Sequence, residues 1–239
     1  MTVYYKTKGI VFKKSDRNES DRIFSVFTNE FGRLDITAKA VRKMASKLRA
    51  DIDIFYLSEI EFIQGKNTKT LTDAAKIKKF GGIFKNSGAL AAAHKIAEVL
   101  DGFVKGQEKD EFLFGLLEDI FNKLDLETKK IKNPKLAFYY FLWNFLSSQG
   151  YRPEVKKCAG CKSKLNPYNI YFSHREGGII CKKCLNADKN AQKINSDVAK
   201  TLRIILDKDW DIVSRLKIEP SSQELFSKIS EGALQETLD

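Results

Sequence analysis

The sequence predicts an α+β protein: a small N-terminal β-barrel followed by an α-helical domain that carries a four-cysteine module. Three observations lead there. Apolar residues alternate with a period of two in the first 80 residues. From residue 88 they recur with a helical period. The chain's four cysteines fall in two tight pairs, followed by further helical stretches.

The strands come first. Ile23–Phe27 and Arg33–Ala38 flank Thr28–Gly32, a hairpin-length connection that ends in glycine. In the second run Leu34, Ile36 and Ala38 alternate with Asp35, Thr37 and Lys39, and later Ile60 and Phe62 share one face of Glu59–Phe62. With Val3–Phe12 and a strand near Leu71–Ala75, about five short strands result, the count of an OB-type barrel. An SH3-like barrel fits the same count, so the pattern alone leaves both.

The helices follow. Leu90, Ala93, Ala97, Leu100 and Val104 form one stripe; Leu113, Leu116, Leu117, Ile120, Phe121 and Leu124 form a second. Pro134 opens a third helix, apolar all round through Phe138, Phe141, Leu142, Trp143, Phe145 and Leu146, as expected of the central element of a bundle, and Gly150 ends it. Further helices are expected over Ser196–Leu206 and from Ser221 onward, with Ser196 and Ser221 as N-caps. The expected domains are a barrel at 1–80, a helical domain at 81–150 and 195–239, and an inserted cysteine module at 151–194.

Cys158, Cys161, Cys181 and Cys184 make a C-x2-C-x19-C-x2-C pattern, the spacing of a zinc ribbon. Each pair supplies two thiolates from one short turn, with Gly160 suiting the tight backbone, and Zn²⁺ takes four such ligands in a tetrahedron. One structural zinc per chain is expected. The competing arrangement, two disulfides, belongs to shorter and more cysteine-rich secreted chains. The opening Met1–Lys8 is polar within a few residues, so no secretory segment is expected. The longest apolar run, Leu136–Leu146, is too short to span a bilayer, and the expected setting is a reducing compartment without membrane contact.

The formal net charge is +11 and unevenly placed. Residues 1–80 carry 17 Lys/Arg against 10 Asp/Glu and residues 150–200 carry 11 against 4, whereas residues 81–149 balance and 201–239 are acidic. Cationic surface confined to the barrel and the cysteine module points to a polyanion, with nucleic acid the commonest. Lys39, Arg42, Lys43, Lys47 and Arg49 lie in one acid-free stretch after a strand, suited to following a phosphate backbone; the plainer alternative is a solvated loop. Tyr4, Tyr5, Phe12 and Phe31 are available to stack bases or, as single residues more usually do, to fill a core.

Catalytic motifs are missing. There is no P-loop, no G-x-G-x-x-G and no G-x-S-x-G. His174-Arg175-Glu176 before Cys181-x-x-Cys184 echoes a zinc deaminase, but only four residues separate the parts and Cys158 and Cys161 would close the coordination sphere. His174 reads as a surface residue and His94 as structural. Asp51 and Asp53 form too small a carboxylate set for a metal and suit a solvated face or salt bridges. No catalytic residue is assigned.

Several segments, in order, resemble one family. Gly9-Ile-Val-Phe12, Glu19-Ser-Asp-Arg22-Ile, Phe27-Thr-x-Glu30-Phe-Gly32 and Lys39-x-x-Arg42-Lys43 look like the N-terminus of RecO, the bacterial recombination mediators. Gly150-Tyr-x-Pro153 and Gly177-Gly-Ile-Ile-Cys181 resemble the rest of its pattern. The likeness covers residues 9–49 and 150–185 specifically. It implies an OB-fold DNA-binding domain, a helical domain and a structural zinc. It also implies binding of single- and double-stranded DNA, annealing, and partnership with RecR and with the C-terminal tail of the single-strand-binding protein SSB, in the bacterial cytoplasm at the nucleoid. Family DNA contacts carry over to Lys39, Arg42 and Lys43, and to Arg22 and Arg49. Two departures stand out: Ala40 replaces the family's usual glycine, and residues 217–239 lack a basic ending. The reading is a non-enzymatic mediator that anneals strands and assists recombinase loading on SSB-coated DNA. A zinc-ribbon nucleic-acid-binding regulator without mediator activity and a metal-dependent nuclease are the alternatives.

Overall fold

The structure, a computed structural model, describes residues 3–126 and 133–238. The chain divides into two compact units, residues 1–128 and 129–239.

The first unit is built on five strands: β1 (Tyr4–Asp16), β2 (Arg22–Thr28), β3 (Gly32–Ala38), β4 (Tyr56–Gln64) and β5 (Lys69–Lys79). They close into a barrel in the order β1-β2-β3-β5-β4. β1 is long because it serves two neighbours, pairing with β4 through its first half and with β2 through its second. Closure is parallel, with Ile36 opposite Lys69 and Thr37 opposite Thr70. The alternation in the sequence decides what fills the interior: Val11, Phe24, Val26, Leu34, Ile36, Ile60, Phe62 and Leu71 are all buried there. β5 outruns its expected length because its second half is exposed and lysine-rich, with Ala74 its last buried residue, so no alternation marks it. Gly32, which begins β3, has φ +60, and a side chain there would meet the Glu108 carbonyl oxygen at 2.1 Å.

Helices α1 (Ser87–Phe103) and α2 (Glu111–Leu126) complete this unit. α1 starts where Asn86 accepts a hydrogen bond from the Ala89 amide. Phe55 meets His94 of α1 and Phe121 of α2 at ring separations of 5.2 and 5.4 Å, and Asp101 of α1 binds Lys13 and Arg33 of the barrel. The sequence grouping of 81–150 with 195–239 followed the change of period. Contacts group α1 and α2 with the barrel, since an apolar stripe specifies a buried face without specifying its partner.

The second unit is organised by α3 (Pro134–Ser148), in which Leu136 through Leu146 are all buried. A three-stranded sheet of β6 (Ile170–Ser173), β7 (Gly178–Cys181) and β8 (Gln192–Ile194), ordered β7-β6-β8, precedes α4 (Ser196–Leu206), α5 (Trp210–Arg215) and α6 (Pro220–Leu238). Trp143 of α3 meets Phe172 of β6 edge-on and donates its Nε1–H to Ser230 of α6. The expected caps shift. Ser196 is the first helical residue, and Asn195 before it caps the Val198 amide; Ser221 lies inside the first turn of α6, which opens at Pro220. Among the described residues no helix is long and apolar enough to cross a membrane.

Candidate metal centre and nucleic-acid interface

The two cysteine pairs converge. The sulfurs of Cys158, Cys161, Cys181 and Cys184 all lie within 4.8 Å of one another, and Cys161 and Cys181 are 3.8 Å apart. All four are free thiols. The pairs meet because Cys158 precedes a turn closed by Lys162 N–H to Cys158 C=O at 2.9 Å, while Cys181 ends β7. Lys162, at φ 60, takes the left-handed position in that turn. Gly160, expected to supply backbone freedom, supplies room instead: a Cβ there would stand 3.3 Å from the Cys184 sulfur.

The cluster is graded from core to solvent. Cys158 is buried and accepts the Cys181 amide on its sulfur at 3.3 Å; Cys161 is exposed beside the Ser163 hydroxyl at 3.1 Å. The Ser163 hydroxyl, aided by its amide and by neighbouring thiols, brings the Cys161 thiol down to about 6. Cys161 and Cys158 push Cys184 up to about 12. One thiolate thus forms readily at Cys161, while the Cys184 proton is held by the neighbouring sulfurs. A bound cation relieves the repulsion between thiolates, so four thiols in this arrangement can hold a metal ion. All four positions would be protein sulfur, which leaves no place for a reacting water.

The cationic loop leaves β3 at Lys39 and returns through a single 3-10 turn, Lys47–Ala50. Val41 and Ile52 are buried in the barrel core and Leu48 packs against it, so the loop is stapled at three points while Lys39, Arg42, Lys43, Lys47 and Arg49 face solvent. Its base is held by the β1–β2 turn. Asn18 accepts the amides of Ser20 and Asp21, Asp21 accepts the Ala40 amide at 2.8 Å, and the Ser20 carbonyl accepts the Arg42 amide at 3.0 Å. Ala40 has φ 53, the conformation glycine adopts most easily.

The six expected DNA-contact residues do not stand alike. Arg22 and Arg42 converge on Asp16, at 2.8 and 3.4 Å, and Arg42 also donates to the Asn18 carbonyl. Lys39, Lys43, Lys47 and Arg49 have no ion pair among the described residues. The aromatics divide as well: Phe12 is buried, Tyr5 and Phe31 pack around Phe62, and only Tyr4 is exposed. Asp53 binds Lys14 at 2.6 Å, the salt bridge expected of it. His174 departs from expectation. It is half-buried, edge-on to Phe172 at 5.0 Å and against Gly232 of α6. Nothing local in the sequence marks this, since the contact is made across 58 residues of chain.

These features define a class: an α+β protein in which a closed barrel displays a pinned cationic loop and a helical unit carries a four-thiol cluster able to hold a metal ion. The chain belongs to the recombination protein O family. Residues 1–80 match the family's N-terminal domain and residues 86–239 its C-terminal domain. The chain is 32% identical over 225 residues to the DNA repair protein RecO of Dehalococcoides mccartyi, covering 94% of this chain and 86% of that one. Against the protein of the same name from Acetivibrio thermocellus it is 30% identical over 237 residues, 99% and 92% of the two chains. Against that of Halalkalibacterium halodurans it is 25% identical over 227 residues, 95% and 87%.

Proposed function

We propose that this protein is a DNA-binding recombination mediator that acts in DNA repair, anneals complementary strands and assists recombinase loading on SSB-coated single strands. The observation that carries the reading is that both halves of the chain match recombination protein O, at near full length of the relatives. The barrel order β1-β2-β3-β5-β4, closed by a parallel β3–β5 contact, supports an OB-type domain. Lys39, Arg42, Lys43, Lys47 and Arg49, with Arg22 at the loop's base, are its DNA contacts. Cys158, Cys161, Cys181 and Cys184 hold one structural Zn²⁺. Zinc–sulfur bonds of about 2.3 Å place tetrahedral sulfurs about 3.8 Å apart, a spacing the Cys161–Cys181 pair already has. The metal supplies folding stability and no chemistry. Helices of the 81–150 and 195–239 segments dock RecR and the acidic C-terminal tail of SSB, and the protein works in the cytoplasm at the nucleoid.

Annealing is opposed by phosphate repulsion and by the protein coat on each strand. A cationic surface that accepts single and double strands lowers the first barrier, and a contact to the coat keeps the mediator near the strand it must clear. Neither step uses nucleotide hydrolysis. The test is annealing of complementary strands without ATP, naked and SSB-coated, with intact and tailless SSB. Expected are salt-sensitive annealing in both settings and loss on coated strands alone when the tail is removed. No annealing of naked strands at low salt overturns the mediator reading, and equal activity with tailless SSB overturns the partner half.

A further inference from the structure

The four thiols differ more than a purely structural metal site requires. Cys158 is buried, and its sulfur already takes the Cys181 amide at 3.3 Å. Cys181 and Cys184 are half-buried, and Cys161 alone is exposed. The residues after Cys161 are Lys162, Ser163 and Lys164, all exposed, and those after Cys181 are the exposed Lys182 and Lys183. A small oxidant arriving from solvent therefore meets Cys161 first. It meets it in an open, cationic setting, the kind of surroundings in which cysteines react.

A second sulfur stands ready beside it. The Cys161 and Cys181 sulfurs, which belong to different pairs, are 3.8 Å apart. Disulfide sulfurs stand about 2 Å apart, a gap that side-chain rotation can close. The backbone keeps the two pairs side by side without help from an ion. The turn that carries Cys161 is docked on β7 by the Ala159 amide, which donates to the Ile179 carbonyl at 2.8 Å. One residue bridge further back, Ile179 donates to the Glu154 carbonyl at 2.8 Å and Glu154 to the Gly177 carbonyl at 2.9 Å. A link from Cys161 to Cys181 follows this existing register, whereas a link from Cys161 to Cys158 must engage a sulfur that is buried and already hydrogen-bonded.

We infer that the cysteine cluster is a peroxide-sensitive switch, in which Cys161 is the residue oxidised and Cys181 resolves it as a cross-pair disulfide. The Cys161 thiolate attacks one oxygen of hydrogen peroxide; an S–O bond forms, the O–O bond breaks and hydroxide leaves, giving the sulfenic acid. The Cys181 thiolate then attacks the Cys161 sulfur; the S–S bond forms, the S–O bond breaks and a second hydroxide leaves. Each sulfur gives up one electron, and the peroxide takes both. Cys158 and Cys184 remain, too few sulfurs to retain an ion that needs four ligands. The release of metal rests on the zinc reading above; the disulfide rests on the geometry of the thiols alone. The barrel holds no cysteine, so the switch acts on the second unit.

The experiment treats the full, zinc-loaded chain with a small excess of hydrogen peroxide. Zinc release is followed with a chromophoric chelator, free thiols are counted, and disulfides are located by peptide mapping without reductant. Two thiols should be lost for each zinc released, and the main cross-link should join the peptides of Cys161 and Cys181. A thiol reductant with added zinc should restore all four thiols and the bound metal. Cys161→Ser should abolish the cross-link and slow the loss of the remaining thiols. That variant can fail to load metal, and the wild-type peptide map decides the matter without it. Disulfides confined to 158–161 and 181–184, or an irreversible sulfinic acid at Cys161 in place of the cross-link, overturn the inference. So do thiols that stay reduced while a small-molecule thiol in the same solution is oxidised. A chain that carries no zinc yet forms the Cys161–Cys181 link overturns the zinc reading and leaves the disulfide switch standing.

Discussion

Asp21 accepts the backbone N–H of Ala40 at 2.8 Å, and this bond ties the β1–β2 turn to the base of the cationic loop. The Ala40 amide, with the Asn18 side chain second, holds the Asp21 carboxyl below its ordinary value of 3.8. A group with a lowered folded value contributes fully above 3.8, and its contribution is lost as pH falls through the lowered value, so the pin is intact at any neutral or mildly acid pH. Replacing Asp21 by Ala should speed hydrogen exchange at the Ala40 and Arg42 amides. It should also lower single-strand affinity several-fold, while the melting temperature changes little because the loop's apolar anchors Val41 and Ile52 remain. Protection at those amides equal to wild type would show that the carboxylate does not order the loop.

Gly178 and Gly177 separate two kinds of glycine requirement. Gly178 has φ +153, and an added Cβ would lie 2.3 Å from the Glu154 carbonyl oxygen, in the bridge that joins 154 to β7. Gly177 has φ +66 with open space around it. Gly177→Ala should cost about 1 to 2 kcal/mol, the ordinary left-handed penalty. Gly178→Ala adds a backbone collision and should cost about 3 kcal/mol or more. Denaturant unfolding of the two variants measures the order, and a reversed order would mean that the bridge to Glu154 yields without cost.

The contrast also marks what the sequence could tell. Leu34, Ile36 and Ala38 alternate with polar neighbours because one face of β3 fills the barrel, and α3 is apolar all round because every face is covered; both were legible. The cysteine site was legible because four ligands at fixed spacing state their own geometry. Ser196 misled as a cap because Asn195 beside it is an equally good acceptor and spacing cannot rank them. The partner of α1 was hidden because Asp101 and His94 meet Lys13, Arg33 and Phe55 from far along the chain. The state of Arg22 and Arg42, held by Asp16, depends on a hairpin register of two strands, and composition alone counts them as free charge.

Loss of the metal should act on the second unit. Cys181→Ser removes one of four sulfurs from a cluster whose neighbour Cys158 accepts the Cys181 amide. Stability of the cysteine module should fall by on the order of several kcal/mol, whereas single-strand affinity of the folded fraction should stay within about twofold, because the proposed DNA contacts lie on the barrel loop. Elemental analysis should find one zinc per chain in the wild type prepared without chelator. Absence of metal there, or a DNA-binding loss as large as the stability loss, would remove the structural role.

His174 should make the second unit sensitive to mild acid. Burial against Phe172 and α6 holds its imidazole below the usual 6.5, opposed by the carboxylates of Glu236 and Asp188. Arg152 and Arg175 line the same cavity of about 330 Å³ and add positive charge around the ring. With the folded value lowered, the neutral ring is favoured in the native state and the unfolded chain takes up the proton first. Stability is therefore full above 6.5 and declines as pH falls from there toward the lowered folded value. His174→Gln removes that titration while keeping a polar side chain at the cavity. Calorimetric melts of metal-loaded protein at pH 7.5 and pH 5 should show a larger fall for the wild type than for the variant. An equal fall in both would assign the acid sensitivity to the thiolates, whose protonation releases the metal, and not to this histidine.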